Sequence, residues 1–307
     1  MHLPKTTSTS VDGLLLVDKP AGVSSHDVVM AARRALGEKR IGHGGTLDPF
    51  ATGLLVLLVG RATRLLQYIH DEPKVYEAVV KFGTETDTED LHGAVTREAP
   101  RPDSQALDAA AESHIGTISQ VPPDYSAKRV DGKRAYELAR AGKDVVLEPV
   151  LVTVHEIVLS ERELIDGRMS SCRMRVACAG GTYVRSLARD IARAAGSAAH
   201  LTALRRHRAG QFELGRAVTL EQLREGHAPL APAIDALVGH PVQTLSEDEV
   251  AKIVRGIDVE ARVPGSHAAL VNPDAETSFT TLVAFGERRP SERGDRWQPR
   301  VVFGATE

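Results

Sequence analysis

One loop constrains this chain more than any other segment, because it places a carboxylate between a run of glycines and a buried strand. Residues 42–53 read Gly-His-Gly-Gly-Thr-Leu-Asp-Pro-Phe-Ala-Thr-Gly. The glycines permit backbone geometry that other residues avoid, and they let a bulky ligand approach closely. Pro49 biases Asp48 toward an extended conformation, which limits where the carboxylate points. The apolar run 52–59 predicts a buried segment, so the pattern indicates an acid on a stiff loop anchored to the core.

Two nucleotide-binding motifs do not fit this loop. A phosphate-binding P-loop needs Gly-x-x-x-x-Gly-Lys followed by Ser or Thr, and the loop has no lysine. A dinucleotide fingerprint needs Gly-x-Gly-x-x-Gly, and the glycine spacing here differs. A plain turn, in which Asp48 only caps the local backbone, remains open on this segment alone.

A second glycine-rich junction carries an arginine. Residues 180–187 read Gly-Gly-Thr-Tyr-Val-Arg-Ser-Leu, follow an apolar strand pattern and lead into a predicted helix with Arg189 and Arg193. An arginine at such a junction can pair with a carboxylate, and its guanidinium stays charged. If Arg185 faces Asp48, the acid stays ionised in one orientation, as a nucleophilic carboxylate requires. An ordinary structural ion pair is the alternative.

A tyrosine, Tyr76, lies near the start of the predicted strand 75–82, in the sequence Lys74-Val75-Tyr76-Glu77. Most tyrosines in strands are half-buried aromatics that pack against their neighbours. The functional alternative is that Tyr76 stacks on a base that has left its own stack.

Periodicity predicts a mixed order of elements along the chain. The predicted strands are 13–18, 75–82, 150–159, 169–177 and 210–214. Besides the helix that carries Arg189 and Arg193, the predicted helices are 26–36 (capped by Ser24 or Ser25), 105–114 and 134–141. The sequence pattern changes around residues 239–241. The part that follows contains many Gly and Pro residues between short apolar runs, at 268–271, 280–285 and 300–303. These runs predict a small β-rich module, so we expect two domains, 1–240 and 241–307.

The formal net charge of −3 hides a strong asymmetry along the chain. Residues 82–124 carry nine acidic residues against two arginines, whereas residues 183–216 carry seven arginines against two acids. Residues 125–145 are also basic, with six Lys or Arg against three acids. Phosphate binding depends on the local field rather than on the sum, so the basic segments favour a nucleic-acid partner. Solvated charged faces are the alternative.

The amino-acid composition indicates the class of protein and the compartment in which we expect it. With 42% hydrophobic and 26% charged residues, the chain is typical of a globular protein. It shows no export signal and no apolar run of membrane-spanning length, and its two cysteines, Cys172 and Cys178, indicate buried thiols in a reducing compartment. The acidic stretch from Asp87 fails as a calcium loop, because Leu91 and His92 occupy positions that need an oxygen ligand and a glycine. We therefore expect a cytoplasmic protein with no metal and no membrane contact.

Eight motifs occur in one order between about residues 13 and 220. They are Leu-Val-Asp-Lys-Pro (16–20), the loop 42–54, Lys-Val-Tyr (74–76), Gly-Thr-Glu-Thr-Asp-Thr-Glu-Asp (83–90), Pro-Pro-Asp-Tyr-Ser-Ala (122–127), Gly-Lys-Arg-Ala-Tyr (132–136), Gly-Thr-Tyr-Val-Arg (181–185) and Leu-Arg-Arg (204–206). Together they resemble the bacterial tRNA pseudouridine-55 synthase family, TruB. The resemblance implies an α+β fold with a mixed, largely antiparallel central sheet around an RNA-binding cleft. It also implies a small C-terminal PUA-like domain from about Leu245.

The resemblance assigns roles to several residues. Asp48 falls on the family's nucleophile, Arg185 on its partner, and Tyr76 on the aromatic that stacks against the target base. The substrate-binding positions that we expect are His43, Tyr183, Leu204, Lys19, Lys128, Arg129, Arg205 and Arg206. Among these, Leu204 falls on an apolar residue of the uracil pocket and His43 on a residue that helps to occupy the space left by flipped bases. The chain departs from the family at Lys128, where an apolar residue is common.

The implied reaction isomerises uridine 55 of the tRNA T-loop to pseudouridine, with Asp48 acting at the sugar C1′ or the uracil C6. No redox change occurs, so we expect no cofactor, and we expect a monomer whose partner is tRNA. Three alternatives remain. They are a non-catalytic tRNA-binding or folding protein on the same scaffold, a guide-RNA-dependent synthase of the same superfamily, and a glycosidase with a second acid roughly 5–10 Å from Asp48.

Overall fold

The computed structural model describes residues 11–126, 128–130, 133–135, 147–273 and 280–304. Within them the strands are β1 (Gly13–Lys19), β2 (Ile41–Gly44), β3 (Thr52–Val59), β4 (Lys74–Phe82), β5 (Thr84–Thr86), β6 (Val95–Glu98), β7 (Gly116–Gln120), β8 (Arg129–Val130), β9 (Lys133–Arg134), β10 (Val150–Ile165), β11 (Arg168–Cys178), β12 (Ala199–Ala209), β13 (Phe212–Glu213), β14 (Val218–Thr219), β15 (Val242–Thr244), β16 (Val259–Glu260), β17 (His267–Pro273), β18 (Thr280–Arg289) and β19 (Arg296–Val302). The helices are α1 (Ser25–Leu36), α2 (Ser104–Ser113), α3 (Val184–Ala194), α4 (Leu220–Arg224) and α5 (Glu247–Val254). Short 3₁₀ turns occur at Gly60–Leu65, Leu214–Arg216 and Ala233–Leu237.

Ten of the described strands form one sheet, in the order β14-β1-β3-β12-β4-β11-β10-β7, with β2 paired to β3 and β13 paired to β12. The pairs β1–β14 and β3–β12 are parallel, and the other pairs of this sheet are antiparallel. This arrangement confirms the predicted mixed, largely antiparallel central sheet.

Strands β1 and β3 are buried on both faces, which explains their continuous apolar sequence. On β1, Leu14 and Leu16 face a core shared with the C-terminal strands, whereas Leu15 and Val17 face α1 and α4. The same alternation runs along β3. These two strands are therefore packed on both faces, and they anchor the loop that precedes β3.

The next part of the sheet carries a separate core. Tyr76 and Ala78 of β4 point toward Leu107 of α2 and toward Leu187 and Ile191 of α3. Residues of one strand that share a face lie two apart, so Tyr76 belongs to the side of the sheet that the helices cover. This side also carries the candidate site.

The C-terminal strands form a five-stranded sheet in the order β15-β17-β18-β19-β16. The β-rich C-terminal domain is thereby confirmed. Its Phe285 lies in the same apolar cluster as Leu54 of β3, and the imidazole Nε2 of His240 lies 2.7 Å from the carbonyl oxygen of Tyr68. The division of the chain at residue 240 stays a prediction.

Helix α1 begins with a capping box. The Ser24 hydroxyl accepts from the N–H of Asp27 at 3.1 Å, and the Asp27 carboxylate accepts from the N–H of Ser24 at 2.8 Å. The helix ends at Gly37, whose φ of 64° suits a residue without a side chain. Ser24 is therefore the cap, and the hydroxyl of Ser25 is available for a contact elsewhere.

Two segments differ from the sequence prediction. The basic stretch 199–209 forms the central strand β12, which periodicity did not predict because two register shifts interrupt its alternation. The predicted strand 210–214 is shorter, since only Phe212–Glu213 pairs with β12 before a 3₁₀ turn begins at Leu214. The predicted helix 134–141 lies outside the described residues beyond position 135.

The two cysteines lie on β11 as free, buried thiols, which confirms the prediction of buried thiols. Burial raises the pKa of Cys172 to about 12 and that of Cys178 to about 11. Among the helices in the described ranges, none is long and apolar enough to cross a membrane.

Candidate active site

A cleft of about 250 Å³ opens where the loop after β2 meets β4, β12 and the N-terminus of α3. Residues from all four segments line it, and they include Asp48, Tyr76, Tyr183, Arg185, Leu204 and Arg206. The fold thus brings together six residues that the sequence predicted for one site.

The backbone around Asp48 is held on both sides. The hydroxyl of Ser25 accepts from the N–H of Leu47 at 2.9 Å and donates to its carbonyl at 3.1 Å. The N–H of Gly22 donates to the carbonyl of Pro49 at 2.8 Å. Leu47 itself is buried in the core, so the loop cannot move without breaking these bonds.

Asp48 and Arg185 form an ion pair, as the sequence predicted. Arg185 Nε lies 2.9 Å from Asp48 Oδ2. The arginine side chain is 3% exposed and the aspartate side chain 32% exposed, so the guanidinium is covered while the acid reaches the cleft. The remaining guanidinium nitrogens donate to the carbonyl oxygens of Thr88, at 2.6 Å, and of Tyr125, at 2.9 Å. Because two backbone carbonyls fix the guanidinium, its Nε holds the carboxylate in one orientation.

The walls of the cleft are apolar on the strand side. Tyr76 of β4 and Leu204 of β12 are both buried, and their strands pair in antiparallel register. The wall therefore presents a ring and a branched aliphatic side chain beside the carboxylate. Such a surface suits the flat face of a base.

Tyr183 is positioned by a residue that the sequence did not single out. The side chain of Gln120 is fully buried; it accepts from the N–H of Tyr183 at 2.9 Å and donates to its carbonyl at 3.2 Å. Burial raises the pKa of Tyr183. The sequence around Gln120 does not predict this role, because the residue that it supports lies 63 residues away.

Lys19 contacts the backbone of the loop that carries Asp48, and it does not line the cleft. It is fully buried, and its ammonium donates to the carbonyls of Pro20, Val23 and Pro49 at 3.0, 2.8 and 3.2 Å. Burial lowers the pKa of Lys19 to about 8, and Asp48 opposes this shift. The side chain therefore connects β1, the start of α1 and the loop of Asp48.

The two arginines after Leu204 point in different directions. Arg206 is 1% exposed, and its guanidinium donates to the carbonyls of Leu54, at 2.7 Å, and Gly45, at 3.1 Å. Arg205 is partly exposed and pairs with Asp18 at 2.7 Å. Arg206 thus borders the cleft from within the protein, while Arg205 lies on the other side of the strand, outside the cleft.

Neither His43 nor Lys128 is among the described residues that line the cleft. His43 is half-buried on β2. Lys128 is half-buried, and its ammonium lies 3.4 Å from the carbonyl of Glu148. The side chain of Arg129 lies outside the described residues.

In the acidic segment that begins at Asp87, the carboxylates accept hydrogen bonds from the protein itself. Asp90 accepts from the hydroxyl of Thr88 at 2.7 Å and from the N–H of His92 at 2.9 Å. Asp87 accepts from the N–H of Ala94 at 2.9 Å. Across the residues described, no group of three His, Cys, Asp or Glu is arranged to hold a metal ion.

These features define what the cleft can do chemically. It offers one partly exposed carboxylate, oriented by a buried guanidinium and placed against an apolar wall. Among the described residues that line the cleft, Asp48 is the only acid. A nucleophile or base therefore fits this site better than a pair of acids acting together.

Two family models match the chain. The model described as "TruB family pseudouridylate synthase (N terminal domain)" matches residues 33–184. The model described as "tRNA pseudouridylate synthase B C-terminal domain" matches residues 185–237.

Relatives match most of the chain. A protein of Thermobifida fusca (strain YX) named tRNA pseudouridine synthase B is 42% identical over 302 residues, which are 96% of this chain and 99% of the relative. A protein of the same name from Azoarcus sp. (strain BH72) is 46% identical over 252 residues, covering 80% of this chain and 82% of the relative.

Solved structures share the fold. The chain superposes on a structure titled "Structure of H/ACA RNP bound to a substrate RNA containing 2'-deoxyuridine" with a TM-score of 0.67, at 22% identity, over 95% of this chain and 85% of the other. A Cbf5-Nop10-Gar1 complex gives 0.66 at 23% identity, over 95% of this chain and 84% of the other. At such identities the likeness concerns the fold, and it agrees with the α+β architecture described above.

Proposed function

This chain belongs to the TruB family of pseudouridylate synthases, and we propose that it isomerises uridine 55 in the T-loop of tRNA to pseudouridine. The family makes the chain an isomerase of uridine in tRNA. The position in the tRNA and the role of each residue are our proposal.

One observation carries it: the ion pair of Asp48 and Arg185 at the mouth of an apolar cleft, with Nε and Oδ2 2.9 Å apart. A purely structural pair would not need a partly exposed carboxylate beside Tyr76 and Leu204. A nucleophile needs to be oriented and accessible, and Asp48 meets both conditions.

The reaction breaks the bond between N1 and C1′ and forms one between C5 and C1′. In one route an Asp48 oxygen attacks C1′, uracil leaves with the bonding electrons on N1, the ring rotates, and C5 displaces the carboxylate. In the other route an Asp48 oxygen adds to C6, the N1–C1′ bond breaks as the C5–C1′ bond forms, and the C6–O bond then breaks to release the carboxylate. In both routes C5 loses its proton and N1 gains one, so atoms and electrons balance without an oxidant or a cofactor.

The base must leave the T-loop before it can react, at a cost of roughly a few kcal/mol. Tyr76 would stack on the extruded uracil and Leu204 would cover its edge, since both side chains border the cleft. Tyr183 lies in the same wall, and His43 would help to fill the space that the base leaves.

The substrate-binding set also includes five basic residues. Lys128 and Arg129 would meet the RNA backbone, whose phosphates favour basic side chains. Lys19, Arg205 and Arg206 would contribute chiefly by supporting the fold around the cleft, because they donate hydrogen bonds to Asp18 and to the protein's own carbonyl groups. We further propose that residues 1–240 form the catalytic domain, that residues 241–307 form a PUA-like RNA-binding domain, and that the protein acts as a monomer.

A non-catalytic tRNA-binding protein on this scaffold is the rival function. A binder has no use for an oriented carboxylate in a cleft, whereas loss of activity without loss of binding is expected of a catalyst whose nucleophile is removed. The glycosidase alternative lacks support, because Asp48 has no second acid among the described cleft residues.

The decisive experiment incubates the purified protein with an unmodified tRNA transcript, with no added cofactor, and maps pseudouridine by position. We expect modification at uridine 55 and none with Asp48→Asn, which keeps the shape of the side chain but not its charge. Asp108→Asn is the matched control, since Asp108 also pairs with an arginine, Arg162, but does not line the cleft. Normal yield with Asp48→Asn would refute the proposal.

A further inference from the structure

Three arginines project from one side of α3 toward the acidic segment 84–90. Arg185, Arg189 and Arg193 follow one another at four-residue intervals, which places them along one face of the helix. Each of them bonds to this segment. The segment is therefore fastened to the helix along its length, with Arg185 at the end nearest the cleft.

Glu89 is the buried centre of this contact. It is 6% exposed; its carboxylate forms an ion pair with Arg189 and accepts from the hydroxyl of Ser186 at 2.7 Å. Arg189 also donates to the carbonyl of Val121 at 3.0 Å. The partners of Glu89 thus come from the helix itself, and the arginine reaches a further loop.

The backbone at Glu89 is also unusual. Its φ is 59°, in the left-handed region that residues other than glycine seldom adopt. The N–H of Leu201 on β12 donates to the carbonyl of Glu89 at 3.1 Å. A residue other than glycine keeps this backbone conformation only where its surroundings hold it. The contacts of Glu89 therefore determine where the preceding peptide group, which carries the Thr88 carbonyl, lies.

That preceding residue, Thr88, provides the link to Arg185. Its carbonyl accepts from Nη1 of Arg185 at 2.6 Å, and the carbonyl of Tyr125 accepts from Nη2 at 2.9 Å. Nε is left for Asp48. Because a guanidinium is planar and its donors are fixed relative to one another, a shift of the Thr88 carbonyl turns the Nε that faces Asp48.

We infer that the Glu89–Arg189 ion pair is a positioning device for the Asp48–Arg185 pair, an inference that rests on the proposed function. Glu89 does not line the cleft, so it acts through Thr88 and Arg185 rather than on the substrate. Its loss would change the rate of the chemical step and leave substrate binding unaltered.

The same segment contains a matched control. Glu85 is 4% exposed, and its carboxylate accepts from Nη2 of Arg193 at 2.6 Å and from Arg97 at 2.7 Å. Its side chain is thus as little exposed as that of Glu89, although its two arginine partners are more exposed than Arg189. Its partners, however, do not contact Arg185, so its loss tests the effect of weakening the segment alone.

The experiment compares Glu89→Gln with Glu85→Gln in the full chain, measuring Tm together with kcat and KM for pseudouridine formation on an unmodified tRNA transcript. We expect both variants to lower Tm. Glu89→Gln should lower kcat about tenfold at unchanged KM, because small misplacements of a catalytic group are costly. Glu85→Gln should keep the parent kcat. Equal kcat losses in the two variants would overturn the inference.

A double-mutant cycle identifies the route of the effect. Arg185→Lys keeps the charge but not the planar set of donors, and we expect it to lower kcat. In that background Glu89→Gln should have no further effect, because the group that it positions is gone. Effects that multiply would overturn the inference, even if the proposed function stands. A full kcat in Arg185→Lys would instead overturn the role of Arg185 itself. If Glu89→Gln does not fold, Ser186→Ala, which removes one bond of Glu89, goes through the same cycle.

Discussion

Gly53 lies directly against the main chain of Arg206 on the neighbouring strand. Its φ is 102°, and a Cβ built there would stand 2.3 Å from the Arg206 carbonyl oxygen and 2.7 Å from its nitrogen. Two backbones approach this closely only where one residue has no side chain. The Arg206 guanidinium then reaches back to Gly45. The contact therefore joins β12 to the loop that carries Asp48.

Gly53→Ala should destabilise the protein by roughly 3 kcal/mol or more, because it adds a backbone clash to a strained φ. Gly22→Ala is the control, since Gly22 also has a positive φ of 82° but its Cβ would meet nothing within 4 Å. That variant should lose only about 1–2 kcal/mol. Urea unfolding measures both, and equal losses would contradict the close contact.

Gln120→Met should lower both stability and kcat. It removes the two hydrogen bonds that hold the backbone of Tyr183 and leaves buried polar groups unpaired, at a cost of about 1–3 kcal/mol. Because Tyr183 borders the cleft, misplacing it should also slow the reaction. Thermal unfolding and steady-state kinetics on tRNA give the two quantities.

The control for this variant is Gln243→Met in the C-terminal sheet. Gln243 is equally buried and accepts from Trp297 Nε1 at 2.8 Å, but it lies outside the cleft. Its replacement should cost similar stability without changing the kcat. A normal kcat in Gln120→Met would show that Tyr183 does not need this support.

Activity should decline as the pH rises through about 8, the pKa to which burial lowers Lys19. A neutral amine can donate only two of the three hydrogen bonds that the ammonium makes around the Asp48 loop. The folded pKa lies below the unfolded value of 10.5, so Lys19 disfavours folding while it is charged. Its contribution to stability therefore improves between pH 8 and 10.5.

The measurement is kcat against pH, with Tm at each pH. We expect kcat to fall above pH 8 without a matching loss of Tm from this group. Lys19→Met should lack this alkaline limb in its residual activity. A wild-type kcat that stays level to about pH 9.5 would contradict the role of the charge.

Cys172 and Cys178 should resist thiol reagents in the native protein. Burial both covers them and raises their pKa values to about 12 and 11, so little thiolate exists at neutral pH. A chromogenic disulfide reagent at pH 8 should label neither thiol until denaturant is added. Rapid labelling of the native protein would show that β11 opens locally.

Much of the site was predictable because each of its parts is a short segment with a recognisable local pattern. Glycines before Asp48, a proline after it and an apolar run beyond it specify a stiff loop on a buried strand. The strand of Tyr76 and the helix that starts after Tyr183 follow from local patterns in the same way. The resemblance to a family then indicated that Asp48 and Arg185 belong to one site.

Other features could not be predicted, since they depend on distant partners. Strand β12 reads as a basic segment, and its Arg206 is buried only because two backbone carbonyls from the loop and from β3 accept its hydrogen bonds. Gln120 and Glu89 look like ordinary polar residues, and their partners, Tyr183 and Arg189, lie 63 and 100 residues away.

By itself the sequence determined the local conformations: where the chain turns, which faces are apolar, and which loop presents an acid. These depend on residues that are neighbours along the chain, whose sterics and periodicity act at short range. Only the tertiary structure decided which groups meet, above all that Asp48 contacts a guanidinium 137 residues away. Such contacts arise when the sheet and helices pack, and the burial that packing produces makes the pairing of charges obligatory.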